Sequence, residues 1–164
     1  MQDHGVKYGF NILIREFRET VPTLWETTLS FMREHPEFIP KDNMLAWVRG
    51  DKGDYNLCHF WSNFEIADLS LWRSERYLKY FEHLDNAGGF FYERWGDAPV
   101  HSLATAMFLR KEEVHWFHDI GYYHPGFTNC PGDEPSRQRC DCNPHKSVHL
   151  RHWSCTNEWN ALWS

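Results

Sequence analysis

The twelve residues 55–66, Tyr-Asn-Leu-Cys-His-Phe-Trp-Ser-Asn-Phe-Glu-Ile, constrain this chain more than any other stretch. They place four aromatic rings, a cysteine, a histidine, two amide side chains and one carboxylate, Glu65, close together. Aromatic faces cover the apolar faces of a sugar ring, while amides and carboxylates hydrogen-bond to its hydroxyl groups. This combination favours a carbohydrate pocket over a purely structural segment.

Length and charge narrow the class of protein. The 164 residues suit a single domain, 1–164, with room for a real core. Net charge is −6 with neutral histidines, and the two signs are interspersed. A nucleic-acid groove needs a concentrated basic face, so no nucleic-acid partner is expected. The sequence shows neither a signal-peptide pattern nor a run apolar enough to span a bilayer.

Hydrophobic periodicity and turn residues predict a mixed α/β layer. Asp97 follows a glycine and precedes an apolar run, so it reads as a helix N-cap. Ser62 and Glu65 have the spacing of a capping box at a helix start. The predicted helices run over 23–35, 62–72, 73–83 and 97–109. The remaining predicted elements are a strand over 8–15, a short apolar element over 43–48, extended segments through 60 and over 90–95, a strand over 114–120, and irregular chain from 121 onward.

Five cysteines indicate cross-links rather than a metal centre. Four of them, Cys130, Cys140, Cys142 and Cys155, lie in an irregular, Pro/Gly-rich last third, whereas Cys58 lies in the aromatic stretch. No C-x-x-C pair is present, which argues against zinc. We predict at least one disulfide there and an oxidising compartment. Cys140 and Cys142 are not expected to pair with each other, and the connectivity otherwise stays open.

Three motifs carry a resemblance to a known family. Residues 55–66, residues 88–102 (Gly-Gly-Phe-Phe-Tyr-Glu-Arg-Trp-Gly-Asp-Ala-Pro-Val-His-Ser) and residues 118–124 (His-Asp-Ile-Gly-Tyr-Tyr-His) resemble the catalytic core of the fungal α-1,2-mannosyltransferases of the KRE/KTR type, glycosyltransferase family 15. The resemblance implies part of a GT-A nucleotide-sugar transferase domain, with a mixed sheet, helices and an irregular cysteine-bearing C-terminal segment. It also implies retaining, Mn²⁺-dependent transfer of mannose from GDP-mannose to a mannose 2-hydroxyl on protein- or lipid-linked glycans in the Golgi lumen.

The resemblance assigns roles to individual residues. Glu65 matches the proposed catalytic nucleophile and Asp97 an active-site carboxylate, although spacing alone would make both of them helix caps. His124 matches a ligand that binds Mn²⁺ together with the nucleotide diphosphate. The remaining substrate-binding candidates are the polar and aromatic residues of the same motifs: Tyr55, Asn56, His59, Trp61, Asn63, Arg94, Trp95, His101 and Tyr122. We expect the three motifs to converge on one concave site.

Coverage limits what the resemblance implies. It runs from Tyr8 to Thr156 and corresponds to the C-terminal half of the family's catalytic domain. Family members carry, upstream, a membrane anchor, nucleotide-binding strands and a Glu-Pro-Asp motif that supplies another metal ligand, and no Glu-Pro-Asp occurs here. We therefore expect an incomplete catalytic domain whose partners would be GDP-mannose and a mannose-terminated acceptor. The alternative is a catalytically inactive remnant that at most binds glycans.

Overall fold

A computed structural model describes residues 2–164. Its helices are α1 (Leu24–Glu34), α2 (Leu69–Trp72), α3 (Glu75–Ala87), α4 (Gly89–Tyr92), α5 (Asp97–Phe108), α6 (Glu134–Arg137) and α7 (Thr156–Ala161). Its strands are β1 (Tyr8–Phe10), β2 (Leu13–Arg15), β3 (Cys58–Phe60), β4 (Glu65–Ala67), β5 (Val114–Trp116), β6 (Tyr122–His124) and β7 (Phe127–Asn129). Seven short 3₁₀ turns join them, at Gln2–His4, Arg18–Thr20, Pro36–Phe38, Leu45–Trp47, Lys111–Glu113, Pro144–Lys146 and Val148–Leu150.

The strands form one mixed sheet and two antiparallel pairs. In the three-stranded sheet β1 is central, antiparallel to β4 and parallel to β5. Strands β2 and β3 pair separately, and β6 and β7 form a hairpin whose turn contains Gly126 at φ +84°. Glycine adopts this left-handed conformation at little cost, which is why it occupies the turn. The prediction of a mixed sheet with helices is confirmed.

The predicted strand over 8–15 is two strands because of Asn11. This residue is fully buried, and its Nδ2 donates to the carbonyls of Phe117 (2.8 Å) and Ile120 (2.9 Å). A buried amide needs partners, and these lie in the segment that follows β5. The chain therefore leaves the three-stranded sheet at Asn11 and enters the β2–β3 pair two residues later.

The core is built around α5, which is apolar on nearly every side. Ten of its residues are buried, including its small residues Ala98, Ala104 and Ala106. A helix that is hydrophobic all round belongs in an interior. It lies against β3, where the ring of Phe60 stacks on Phe10 (centroids 4.3 Å apart) and Trp47 (4.6 Å).

Three local predictions were wrong. The stretch 62–65 does not begin a helix: Glu65 starts β4, and α2 begins only after Asp68, whose side chain accepts from the backbone N–H of Ser70 (2.8 Å). The extended segment over 90–95 is instead the short helix α4 at its start, which follows Gly88 in the left-handed conformation. Asp97 is the first residue of α5 rather than its N-cap, which is Gly96.

The C-terminal third is more regular than predicted, since it contains the β6–β7 hairpin, α6 and α7. The predicted cross-linking there is confirmed. Cys130 bonds to Cys142, and Cys155 bonds back to Cys58 in β3, while the half-buried Cys140 has a free thiol. As expected, Cys140 and Cys142 do not pair. The long-range bond ties the C-terminal segment to the aromatic stretch.

We expect the two disulfides to contribute unequally to stability. They span 97 and 12 residues of sequence. Constraining the unfolded chain is worth about 4.7 kcal/mol for a loop near 100 residues and about 3 kcal/mol for one near 15. Replacing Cys58 and Cys155 together with alanine should therefore lower the free energy of unfolding more than replacing Cys130 and Cys142. Urea denaturation of both variants measures this, and an equal or reversed order would contradict it.

Candidate functional site

A cavity of about 630 Å³ opens between the end of β2, the loop from β3 to β4, and the start of α5. Aromatic rings and polar tips share its wall, as a sugar site requires. Its polar and charged lining residues are Arg15, Glu16, His59, Ser62, Asn63 and Asp97, and its apolar ones include Ile14, Phe17, Trp61, Pro99, Phe127 and Trp153.

Asp97 stands where α5 meets the cavity. Its Oδ1 accepts from the hydroxyl of Ser62 (3.0 Å) and from the backbone N–H of Ala98 (2.9 Å). A carboxylate in the first turn of a helix is stabilised by the unpaired N–H groups and the helix dipole. The side chain is exposed, so the carboxylate is both held and accessible.

Glu65 lies beside the cavity rather than in its wall. Its Oε2 accepts from the hydroxyl of Tyr8 (2.9 Å), and the Nδ1 of His101 lies 3.1 and 3.2 Å from its two oxygens. His101 follows Asp97 by four residues on α5, and such pairs lie on one helix face about 5–6 Å apart at Cβ. Glu65, in β4, therefore contacts α5 through His101, one helical turn after Asp97.

Ser102 fixes this helix against β3. Its hydroxyl donates to the carbonyl of Ala98 (2.6 Å) and accepts from the backbone N–H of Phe60 (2.7 Å). All three groups are buried, so leaving one unpaired would cost about 1–3 kcal/mol. The bond sets the end of β3, and hence the loop that begins at Trp61, relative to Asp97.

The third motif reaches the same cavity through Trp61. The ring of His124, in β6, meets that of Trp61 edge to face (4.9 Å), and Phe127 packs on the same tryptophan (4.8 Å). The hydroxyl of Tyr122 lies 3.5 Å from the carbonyl of Asn63. Two of the motifs therefore line the cavity, whereas the third lies against it through the contacts of His124 and Tyr122 with lining residues.

His124 can supply one metal ligand. Its Nδ1 lies 3.3 Å from the carbonyl of Pro125, a geometry in which Nδ1 carries the proton and Nε2 remains available to a cation. Within residues 2–164, the one close group of three ligand-type side chains is Cys58, Cys155 and Glu158, and its two sulfurs are bonded to each other. No such group of three among the described residues includes His124.

The chain was compared with known proteins. The model of the glycolipid 2-alpha-mannosyltransferase family matches residues 1–163. The chain belongs to this family. It is 54% identical to Glycolipid 2-alpha-mannosyltransferase 1 of Candida albicans, over 99% of this chain and 38% of that protein. It is 56% identical to Alpha-1,2 mannosyltransferase KTR1 of Saccharomyces cerevisiae, over 96% of this chain and 41% of that protein.

Solved structures agree on the fold. The chain superposes on the mannosyltransferase Ktr4p of S. cerevisiae in complex with GDP with a TM-score of 0.89, 40% identity, and coverage of 98% of this chain and 44% of that one. For the Mn/GDP form of core-mannan synthase A from Aspergillus fumigatus the TM-score is 0.88 and the identity 41%, over 98% and 46%. The expected GT-A type of fold is confirmed. The chain spans about two fifths of the length of the curated relatives.

In this family member, three of the candidate substrate-binding residues make their observed contacts within the protein. Tyr55 is buried, and its hydroxyl donates to the carbonyl of Cys58 (3.0 Å). The side-chain amide of Asn56 hydrogen-bonds to the backbone on both sides: it donates to the carbonyl of Trp47 and accepts from the N–H of Cys58. Trp95 is 5% exposed and packs flat against Gly89, where a Cβ would lie 2.1 Å from its ring.

The other candidates divide between the cavity and its surroundings. His59, Trp61 and Asn63 line it. The side chain of Arg94 is exposed and does not line the cavity. The backbone N–H of Arg94 donates to the carbonyl of Thr20 (3.0 Å). His101 is half-buried and faces Glu65 rather than the cavity.

Sequence reasoning missed the part of the wall that β2 contributes. Arg15, Glu16 and Phe17 follow a buried run, and the change from apolar to charged residues was the available signal. Phe17 is 73% exposed, a large ring that the core does not use. Arg15 forms an ion pair with Glu158 and donates to the carbonyl of Asn56 (2.7 Å), so it also holds the cavity wall in place.

No helix within residues 2–164 combines the length and the apolar character needed to cross a bilayer.

We expect stability to fall as the pH drops from about 6.5 toward 5. Burial lowers the pKa of His59, and burial followed by the neighbouring His118 lowers the pKa of His149 to about 4. Below pH 6.5 these two histidines become protonated in the unfolded chain but stay neutral in the folded one. Protonation therefore stabilises the unfolded chain, and the free energy of unfolding decreases. Urea titrations between pH 7 and 5 measure this. The variant His149→Gln should show a shallower decrease, and an unchanged slope would contradict the assignment.

Proposed function

We propose that this chain carries the catalytic-carboxylate and acceptor-binding part of a retaining α-1,2-mannosyltransferase. The reaction moves mannose from GDP-mannose to the 2-hydroxyl of a mannose that ends a protein- or lipid-linked glycan. One observation carries the proposal: in a member of this family, Asp97 at the start of α5 lines an aromatic-lined cavity, and Glu65 of β4 is hydrogen-bonded to His101 one turn further along the same helix. Relatives with this fold are described with GDP and with Mn/GDP.

The two carboxylates suit the charge that develops during glycosyl transfer. The transition state resembles an oxocarbenium ion, and a fixed anion close to it lowers the barrier. Glu65 would act as the nucleophile or as the close stabiliser of the anomeric carbon. Asp97, exposed in the cavity, would orient the transferred mannose or the acceptor hydroxyl. Having two carboxylates on separate elements is common in sugar chemistry.

The aromatic wall would bind the sugar rings. Trp61, Phe127 and Trp153 offer apolar faces, and the amide of Asn63 offers hydrogen bonds to hydroxyl groups. His59 is 2% exposed and has a lowered pKa, so it contributes a neutral imidazole rather than a charge. The aromatic and amide part of the wall suits the rings and hydroxyl groups of a glycan.

His124 would hold Mn²⁺ together with the diphosphate of the donor, through Nε2. The cation, when bound, offsets the phosphate charge and so helps the nucleotide to leave. Mn²⁺ prefers oxygen ligands, so one imidazole makes only a weak site. The remaining ligands would be phosphate oxygens and the upstream carboxylate that the family resemblance implies.

The Golgi lumen is the location that the proposal requires. Two disulfides among the described residues suit an oxidising compartment. A membrane anchor of the kind found in family members would lie outside these 164 residues.

We expect the purified 164-residue chain to bind mannose-terminated glycans but to turn over GDP-mannose slowly or not at all. Glycan binding without turnover is the second candidate function, because the cavity offers aromatic faces and an amide to a sugar ring. Calorimetry with an α-mannoside and a radiolabelled transfer assay with Mn²⁺ separate the two. Robust transfer by this chain alone would show that it needs no upstream half, and absence of both binding and transfer would count against the acceptor pocket.

Catalysis is tested in a full-length chimera in which this chain replaces the matching segment of KTR1, to which it is 56% identical. We expect Glu65→Gln to lower kcat by about 10²–10³-fold, because the amide keeps the shape but cannot stabilise positive charge. His124→Ala should mainly raise the concentrations of Mn²⁺ and GDP-mannose that give half the maximal transfer rate. Glu82→Gln, on an exposed face of α3, is the matched control. Full activity of Glu65→Gln would leave that residue without a catalytic role.

A further inference from the structure

The carboxylate of Glu65 is held on both oxygens by side chains that belong to two other elements. The hydroxyl of Tyr8, in β1, donates to Oε2 at 2.9 Å. The Nδ1 of His101, in α5, lies 3.1 Å from Oε1 and 3.2 Å from Oε2. We propose that Tyr8 and His101 are positioning residues that hold Glu65 in the orientation needed for mannose transfer. This inference rests on the proposed function of Glu65.

Tyr8 is placed where it can act only through Glu65. It has no solvent exposure and lies in the central strand of the mixed sheet, with its ring against Phe60 (5.3 Å) and Trp72 (6.0 Å). A substrate in the cavity cannot touch it. Burial, and then the charge of Glu65, raise its pKa well above the usual value, so the hydroxyl remains a donor at every physiological pH.

The ring of His101, the second partner of Glu65, is held by two aromatic neighbours. Its ring stacks on Trp72 at 4.5 Å and meets the edge of Tyr77 at 6.2 Å. Because a carboxylate only accepts hydrogen bonds, the facing Nδ1 carries the proton. Trp72 therefore packs against both donors, and β1, α2 and α5 together set the position of one carboxylate.

Such an arrangement matters when the carboxylate must meet a developing positive charge. Groups that are already fixed in place cost no reorganisation free energy during the reaction. Rigid surrounding elements hold such groups within a fraction of an ångström. The side chain of Glu65 is 22% exposed, so the donors leave part of it open to a reacting sugar. Loss of a donor should loosen the carboxylate without altering the cavity wall.

The test uses the full-length chimera with Tyr8→Phe, His101→Asn and His101→Leu. Tyr8→Phe removes one hydroxyl and should lower kcat about tenfold, the size of a lost hydrogen bond to a charged group, while leaving the KM for GDP-mannose nearly unchanged. His101→Asn keeps an N–H near the position of Nδ1 and should retain more activity than His101→Leu. Tyr80→Phe is the matched control, since it also loses a buried hydroxyl bond, to Thr28 (2.9 Å).

A double-mutant cycle decides whether Tyr8 acts through Glu65. Tyr8→Phe should cause no further loss of kcat in the Glu65→Gln background, because the group that it positions is already gone. Losses that multiply, or an unchanged kcat in the folded Tyr8→Phe enzyme, would overturn the proposal. Thermal unfolding of every variant shows whether lost activity is only lost fold.

A separate measurement keeps this inference distinct from the proposed function. If the unsubstituted chimera is folded but inactive, the proposed function fails. In the 164-residue chain, the ¹³Cζ chemical shift of Tyr8 still reports the contact. Glu65→Gln should change that shift and leave the shift of Tyr80 unchanged, because the hydroxyl of Tyr8 bonds to Glu65 and that of Tyr80 to Thr28. An unchanged Tyr8 shift would overturn the positioning contact.

Discussion

The buried helix α5 is the constraint on which the rest of this structure depends. It is apolar nearly all round, so it can exist only inside a shell made by the sheet, α3 and the aromatic stretch. Three of its polar residues connect the helix to the site and to β3. Asp97 meets the cavity, His101 meets Glu65, and Ser102 satisfies the backbone of β3. The helix therefore carries one carboxylate, Asp97, and supplies through His101 a hydrogen-bond partner for the other, Glu65 of β4.

Covalent and hydrogen-bonded ties then fix the loops around α5. The Cys58–Cys155 bond joins β3 to the C-terminal segment, and the backbone N–H of Cys155 donates to the carbonyl of Leu13 (3.2 Å). Asn11 draws the chain that follows β5 against the junction of β1 and β2. Segments distant in sequence are thereby held at one cavity, although few regular strands connect them.

Much of the architecture follows from local sequence signals, and the exceptions have physical causes. Apolar periodicity indicates α1, α3 and α5, and the turn glycine at 88 ends α3. The Ser62–Glu65 spacing suggested a helix cap, but Glu65 pairs opposite Phe10 in a sheet because its long-range partners Tyr8 and His101 satisfy the carboxylate. Tertiary contacts overrode a local preference, as they commonly do.

In the candidate site, too, some features follow from local sequence and others depend on tertiary contacts. Residues in the motifs were identifiable by chemical type, yet their exposure was not, because burial depends on contacts that no local pattern reveals. Tyr55 is of the chemical type that binds sugars, yet it is a core residue. Phe17, which lies outside every motif, lines the cavity. A carbohydrate wall and a protein core both use aromatic rings with polar tips. What separates them is whether the polar tip finds a partner within the protein: the hydroxyl of Tyr55 bonds to a backbone carbonyl, and the amide of Asn63 remains in the open cavity.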